Sequence, residues 1–397
     1  MKRLIAAVLL FSSTVGAANL VRTSPGLVRF AVGTDPSWDR FTQAPSPDMK
    51  QWFLSKVWRM MVYSPYWDER ISWYPNAWAH LDLCSIPVGS ELIQKHPQWI
   101  LKDAAGNSLY IPNGCQGGSC PEYAANIADR SYHAYWIAKA KHDQQLGYKG
   151  LWVDDVNLDY HVTDGNEKQV AAINPRTRRE ISDLDWKRDV AEFCEQIRRA
   201  FPTMEIVHNV SWFSGGKARD LDKFAYRELA SADYINLERG FVNKELHGVN
   251  GEASLNALLS FIDQIHRIGC GVVLDNLGGH TEYALASFLL ISSGVDAIGD
   301  HGLKPDRWWP GLDVDLGNPV GPRENWQGLL RRKFARGVVL VNPPSSSPIH
   351  IKTAGKFRRA NAVAAETALT IQPADGLILV GPTELNKSVD TAIKVLN

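Results

Sequence analysis

A (β/α)8 barrel followed by a small antiparallel β domain is predicted by three observations. Strand-like apolar runs recur along the chain with amphipathic helical segments between them. Several runs are apolar almost continuously, as strands covered on both faces of a parallel sheet are. Polar and acidic residues collect at the ends of these runs, where a barrel presents its functional groups, and no Gly-rich phosphate turn of a doubly wound fold follows any of them.

The elements follow in order. Residues 1–18 read as an export signal, with Lys2 and Arg3 before the apolar run 4–11 and the small residues Val15, Gly16 and Ala17 before a cleavage point. Residues 19–56 carry Pro25, Pro36, Pro45 and Pro47 and form an extended lead-in that ends in a short helix over 49–56. The barrel is expected over 57–332, with strands at 57–63, 78–83, 124–128, 150–156, 205–210, 234–237, 271–274 and 296–298. Helical period is clearest over 184–201 and 254–268. From 333 the texture changes to short strands separated by turn signals, including Asp375-Gly376, which predicts a small sandwich-like β domain to 384 and a loose tail over 385–397.

Composition narrows the function classes. The 43 Lys and Arg balance the 43 Asp and Glu, and no long basic block is present, so nucleic acid and anionic membranes are not expected partners. No segment after the signal is apolar for the roughly 18 residues a membrane helix needs, so a secreted or periplasmic protein is expected. Cys115 and Cys120 in CQGGSC are close enough for a local disulfide, while Cys194 and Cys270 read as small buried hydrophobes. The cysteine and histidine spacings match no zinc motif, and no cofactor is expected.

The predicted strand ends carry the chemistry. GLWVDDVN places Asp154 and Asp155 after Leu151, Trp152 and Val153; IVHNVSW presents His208 and Asn209; DYINLERGF ends at Glu238 and Arg239; GVVLDNLGG ends at Asp275; AIGDHG ends at Asp300 and His301. Tyr63 and Asp82 stand at the ends of the first two predicted strands. Two carboxylates across a mouth are what glycosidic bond cleavage needs, one to donate a proton to the leaving oxygen and one to attack the anomeric carbon or activate water. Fourteen Trp offer flat faces for sugar rings, and Trp73, Trp78, Trp99, Trp152, Trp212, Trp308 and Trp309 lie in or beside these segments. Arg59 and Arg239 are candidates to keep carboxylates ionised. Asp154 directly follows the apolar triplet and is the better catalytic candidate; Asp155 falls on the alternate face, to hold a neighbour or cap a helix.

Three stretches, HPQWILKDAAGN, NIADRSYHAYWIAKA and GYKGLWVDDVN, resemble the shared opening of extracellular glycoside hydrolase barrels. The similarity is to the hypothetical glycosyl hydrolase family 15 and, more distantly, to alpha-galactosidase and alpha-amylase type barrels, over residues 57–342. The resemblance implies that Asp154 is a nucleophile and that the bond cleaved is α-linked. Its sixth-strand acid matches Glu238 in position but not in type. An amylase would carry a Glu at the end of strand five, where this chain has His208 and Asn209.

The leading expectation is therefore an exported glycoside hydrolase acting on a polysaccharide or oligosaccharide, with Asp154 as nucleophile and Glu238 as acid/base. Substrate contacts are expected from Tyr63, Asp82, Trp152, Asp155, His208, Asn209, Trp212, Arg239, Asp275, Asp300, His301 and Trp308. The loop 302–323 is the expected place of substrate selection. A carbohydrate-binding barrel without turnover, a transglycosylase remodelling an exopolysaccharide, and a metal-dependent hydrolase built on Asp154, Asp155, His208 and Asp275 are the other readings. Sugar, linkage and oligomeric state do not follow from the sequence.

Overall fold

The computed structural model describes residues 27–213, 221–242, 251–275, 281–300, 302–354, 357–362, 364–381 and 392–396. The signal segment and His301 lie outside them, as do most of the tail and the side chain of Asp300.

Eight parallel strands close into a barrel: β1 (Arg29–Val32), β2 (Arg59–Val62), β3 (Ala77–Asp82), then, after the hairpin strands β4 (Ser85–Pro87) and β5 (Glu122–Ala124), β6 (Gly150–Val156), β7 (Glu205–Val210), β8 (Tyr234–Glu238), β9 (Gly271–Asp275) and β10 (Ala297–Asp300). Two assignments differ from expectation. The lead-in contains the first barrel strand, β1, which pairs with both β2 and β10 and closes the ring. Residues 124–128 are not a barrel strand; β5 pairs antiparallel with β4 above the barrel. Four residues of β1 are too few to show a period, and Pro25 and Pro36 mask them. The two errors cancel in the count, so Asp154 still ends the fourth barrel strand.

Strand alternation sorts the side chains. Phe30, Val32, Met61, Trp78, Trp152, Val207, Tyr234, Val273 and Ala297 fill the lumen, while Ala31, Met60, Ala79, Leu151, Val153, Ile206, Ile235 and Leu274 face the helices. The lumen floor is aromatic: Trp78 lies 5.9 Å from Trp152 and 5.8 Å from Tyr234, ring centre to ring centre, and Phe30 lies 6.0 Å from Trp152. Gly150 and Gly271 make room for these rings, since a Cβ there would stand 2.8 Å from Trp78 or Tyr234.

Below the rings, Arg59 donates to Glu205 through Nε and Nη2 at 2.7 and 2.6 Å, and Trp78 Nε1 donates to the same carboxylate at 2.8 Å. Arg59 thus serves the N-terminal end of the barrel and is not a partner of the acids at the opposite mouth. Arg59→Met should lower stability by about 3 kcal/mol, because it strands a largely buried carboxylate. Urea unfolding checks this, with KM and kcat expected to stay at the parent values.

The outer helices are α1 (Asp39–Thr42), α2 (Pro47–Lys56), α3 (Leu92–Lys95), α4 (Arg130–Leu146), α5 (Asp183–Ala200), α6 (Lys223–Leu229), α7 (Gly251–Ile268) and α8 (Thr281–Ile291). Asp129 caps α4 through the N–H groups of Ser131 and Tyr132, and Gly147 ends it at φ 101°. Among the described residues, no helix is long and apolar enough to cross a membrane.

The C-terminal β domain starts at β11 (Glu324–Trp326), earlier than the texture change at 333, and continues through β12 (Leu329–Phe334), β13 (Gly337–Asn342), β14 (Ile349–Thr353), β15 (Arg358–Arg359), β16 (Ala368–Ile371), β17 (Asp375–Val380) and β18 (Ile393–Leu396). One sheet runs β11-β12-β13-β17-β15 and the other β16-β14-β18. Part of the expected tail is therefore a strand, β18, whose Ile393 is buried between the sheets with Ile351 and Phe357. The other face of β13 and β17 packs on α8, which explains why that helix is apolar nearly all round.

Candidate active site

With aromatic rings and the Arg59–Glu205 pair filling the lower barrel, the polar residues collect at the C-terminal ends of the strands, where barrel enzymes carry their sites. Alternation sends His80 and Asp82 of β3, Asp154 of β6, Asn209 of β7, Asn236 and Glu238 of β8 and Asp275 of β9 to the same side as the lumen rings below them.

Asp154 sits at the centre of the polar layer. Its Oδ2 is 2.7 Å from His80 Nε2, and its Oδ1 accepts from Asn209 Nδ2 at 2.7 Å and from the Asp155 N–H at 2.9 Å. Burial alone would raise its pKa, yet the hydrogen bonds from His80, Asn209 and Asp155 outweigh it and hold the carboxyl below the usual range. Asn209 Nδ2 also donates to Glu238 Oε1 at 2.9 Å, so one amide bridges two carboxylates, and Asn236 Nδ2 donates to Asn209 Oδ1 at 2.8 Å from beneath.

Asp155 also turns into the mouth, against its strand parity. A register irregularity between Val153 and Val156 and a left-handed φ of 50° redirect it. Its Oδ2 lies 2.9 Å from His161 Nε2, and its Oδ1 accepts from Ser211 Oγ at 3.3 Å. Burial lowers the His161 pKa, but the Asp155 charge and hydrogen bond overcome this and leave it raised. The stability from this pair is complete below the unfolded value of about 6.5 and is lost as pH rises through the raised folded value. The stability gap between the parent and His161→Gln, read from urea midpoints, should therefore narrow on going from pH 6 to pH 9.

Asp82 is the Cα partner of Asp154, and its Oδ1 accepts from the N–H groups of Cys84 and Ser85 at 2.9 and 2.6 Å. Burial, with the charges of Asp155, Asp154 and Glu122 added, pushes its carboxyl well above the usual range. Glu122, from the β4–β5 hairpin, is raised for the same leading reason. Tyr63 is 41% exposed at the rim, lies over His80 with ring centres 4.3 Å apart, and is pushed up to about 12 by burial and by Asp154, Asp82 and Glu122.

The sequence profile of the hypothetical glycosyl hydrolase family 15 matches residues 59–338. The chain belongs to this family. It is a glycoside hydrolase. No curated protein sequence matches it. Among solved structures it is similar to a "Family GH13_31 enzyme", at 10% identity over 89% of this chain and 99% of the other with a TM-score of 0.51. Trehalose-6-phosphate hydrolase from Bacillus licheniformis is 10% identical over 90% and 99%, with a TM-score of 0.50. The glycoside hydrolase domain of PelA from Pseudomonas aeruginosa is 15% identical over 73% and 97%, with a TM-score of 0.42. At these identities the first two show the barrel fold.

The remaining expected residues of this hydrolase divide. Asp275 is buried at the end of β9 as the Cα partner of Glu238, and exposed Arg239 follows Glu238 at a left-handed φ of 62°. Trp152 is in the lumen floor, 2% exposed, beneath the polar layer. His208 faces away from the mouth: its Nδ1 lies 2.7 Å from Glu228 Oε1, with both residues fully buried. Trp212 donates to the other oxygen of Glu228 at 3.2 Å, so it too is a packing residue. His208 is one residue from Asn209, and alternation sends it to α6. The metal-dependent set of Asp154, Asp155, His208 and Asp275 therefore does not converge.

Trp308 lies against Trp52 of α2, ring centres 5.3 Å apart, and donates to Asp313, which pairs with Arg29 and Lys56 near the N-terminal ends of β1 and β2. The loop after β10 thus braces the outside of the barrel, not the mouth, at these residues. Trp99 stacks on His96 and donates to Ser131 Oγ at 2.7 Å, and Trp136 donates to the Asp82 carbonyl at 2.8 Å. Trp136 thus holds the end of β3, while Trp99 ties the loop before β5 to the start of α4. The expected disulfide joins Cys115 and Cys120 in the loop leading to Glu122, and Cys84, Cys194 and Cys270 are free and buried.

Sequence reasoning missed His80, Glu122, His161 and Asn236. His80 and Asn236 share strand parity with Asp82 and Glu238, a legible signal. Glu122 depends on hairpin pairing, and His161 lies in an irregular loop without a period to read.

Proposed function

We propose that this hydrolase is an exported, retaining enzyme that cleaves α-linked polysaccharide or oligosaccharide, with Asp154 as nucleophile and Glu238 as general acid/base. The observation that carries the reading is the bridging amide. Asp154 Oδ1 and Glu238 Oε1 lie 2.7 and 2.9 Å from the same nitrogen. The two oxygens then stand no more than about 5.6 Å apart, which is compatible with the roughly 5 to 5.5 Å between the carboxyl groups of retaining sites.

Division of labour follows from environment. Asp154, supplied with three hydrogen bonds, stays ionised and attacks the anomeric carbon. Glu238, exposed at its strand end and holding a single described donor, gives its proton to the leaving oxygen and then takes one from the incoming water. In this reading Tyr63, exposed at the rim, takes a sugar ring on its aromatic face, and Asp82 and Asp155 bind hydroxyls. The α-linkage rests on the sequence resemblance alone, and export rests on residues 1–18.

The test is a panel of bacterial and plant polysaccharides given to the mature protein and to Asp154→Asn, reading reducing ends and the anomer released. Product of retained configuration from the parent alone supports the reading. Inverted product, or equal release by the variant, overturns it. Chain-lengthened products would indicate that a sugar replaces water as acceptor.

A further inference from the structure

Below the bridging amide lies a residue to which the reaction scheme assigns no part. Asn236 is fully buried, one turn of strand parity beneath Glu238, and donates Nδ2–H to Asn209 Oδ1 at 2.8 Å. Asn209 is itself 6% exposed and donates through its single Nδ2 to Asp154 at 2.7 Å and to Glu238 at 2.9 Å. An amide can face the carboxylates with either end. When both carboxylates are ionised, they accept only, and they select the NH2 end without help. The cycle breaks that condition, because Glu238 must carry a proton before each leaving group departs. A protonated Glu238 facing a freely rotating Asn209 would have a competing acceptor, Asn209 Oδ1, for the proton it should give to the glycosidic oxygen. The flipped amide would also withdraw a donor from Asp154.

We infer that Asn236 is a positioning residue: by occupying Asn209 Oδ1 from below, it locks the amide with both N–H groups toward the carboxylates, keeping the Glu238 proton available to the leaving group and Asp154 supplied with a donor. This rests on the two-carboxylate reading of the site. The lock lies in the water-excluded layer above the lumen rings, where a hydrogen bond is electrostatically stronger than in water.

The lock makes an unequal demand on substrates, which a purely structural role would not. Asn236→Leu is close to isosteric and removes the donor. Its kcat should fall about 10- to 100-fold on glycosides with poor leaving groups, which need the proton, and only a few-fold on activated aryl glycosides, which do not. A structural defect would lower both equally. Asn236→Asp is the rescue variant: protonated, it donates to Asn209 as the amide does, and ionised it repels Asn209 Oδ1. Its activity relative to the parent should fall as pH rises.

A substrate-free readout accompanies these. The Asp154 carboxyl, followed by 13C NMR titration, should titrate higher in Asn236→Leu and in Asn209→Ala, with no further rise in the double variant over Asn209→Ala, because Asn236 acts on Asp154 only through the Asn209 amide. Equal losses on both substrate classes with an unmoved Asp154 titration would overturn the assignment of Asn236. A parent that hydrolyses no glycoside would instead overturn the two-carboxylate reading, whatever the titration shows. A shifted titration with a hydrolytically active parent but no leaving-group dependence would retain the link to Asp154 and reject the role toward Glu238.

Discussion

Asp154→Asn is expected to reduce kcat by about four orders of magnitude while leaving substrate affinity within a few-fold of the parent. The amide keeps the shape of the carboxyl but has no charge to attack the anomeric carbon, and the two acids nearest to it in the described mouth are otherwise committed. Asp155 is engaged by His161 and Ser211, and Asp82 is pushed toward its neutral form by burial and by three neighbouring acids. Calorimetric titration of the variant with a substrate cleaved by the parent measures affinity, and reducing-end release measures turnover. A variant retaining more than a few per cent of parental kcat would remove Asp154 from the nucleophile's role. Because its donors hold Asp154 below the usual carboxylate range, the acid limb of the parent's pH–rate profile should lie lower than that of Asn209→Ala, which lacks one of those donors.

Glu238→Gln is the second large effect, expected at 10²- to 10⁴-fold in kcat on substrates with poor leaving groups. The loss should shrink on aryl glycosides whose leaving groups depart without protonation, because formation of the glycosyl-enzyme then no longer needs the acid. Added azide should restore turnover on those aryl glycosides and yield a glycosyl azide of retained configuration, since azide attacks without general-base help. A uniform loss across leaving groups, with no response to azide, would place the acid/base elsewhere, with Glu122 on the hairpin the next residue to test. Burial raises its pKa beside the same acids.

Legibility of the fold and the site varied with how local each signal was. The long buried strands β6, β7, β8 and β9 were read correctly because their apolar runs and the polar residues that end them are contiguous in sequence. β1 was missed because closing the ring depends on pairing with strands 29 and 269 residues away. Asp154 and Glu238 were legible from their places at strand ends. His208 was misplaced by one residue of alternation, and Trp212 and Trp308 because an aromatic beside a strand end packs as readily as it faces the mouth. Asp155 was expected on the far face, and only the irregularity that gives it φ 50° turns it inward.

The sequence by itself determined the barrel, the β domain that follows it, the family, and the acids that stand at the strand ends. Periodicity and strand-end chemistry act over a few residues, and they survive without knowledge of what lies across the ring. Only the tertiary structure decided which donors reach those carboxylates. His80 beside Asp154, Asn209 between Asp154 and Glu238, and Asn236 beneath Asn209 come from separate strands, and their meeting is set by the parallel register of the closed barrel. A shift of one residue in that register would turn each of these side chains to the opposite face and leave the acids without their donors.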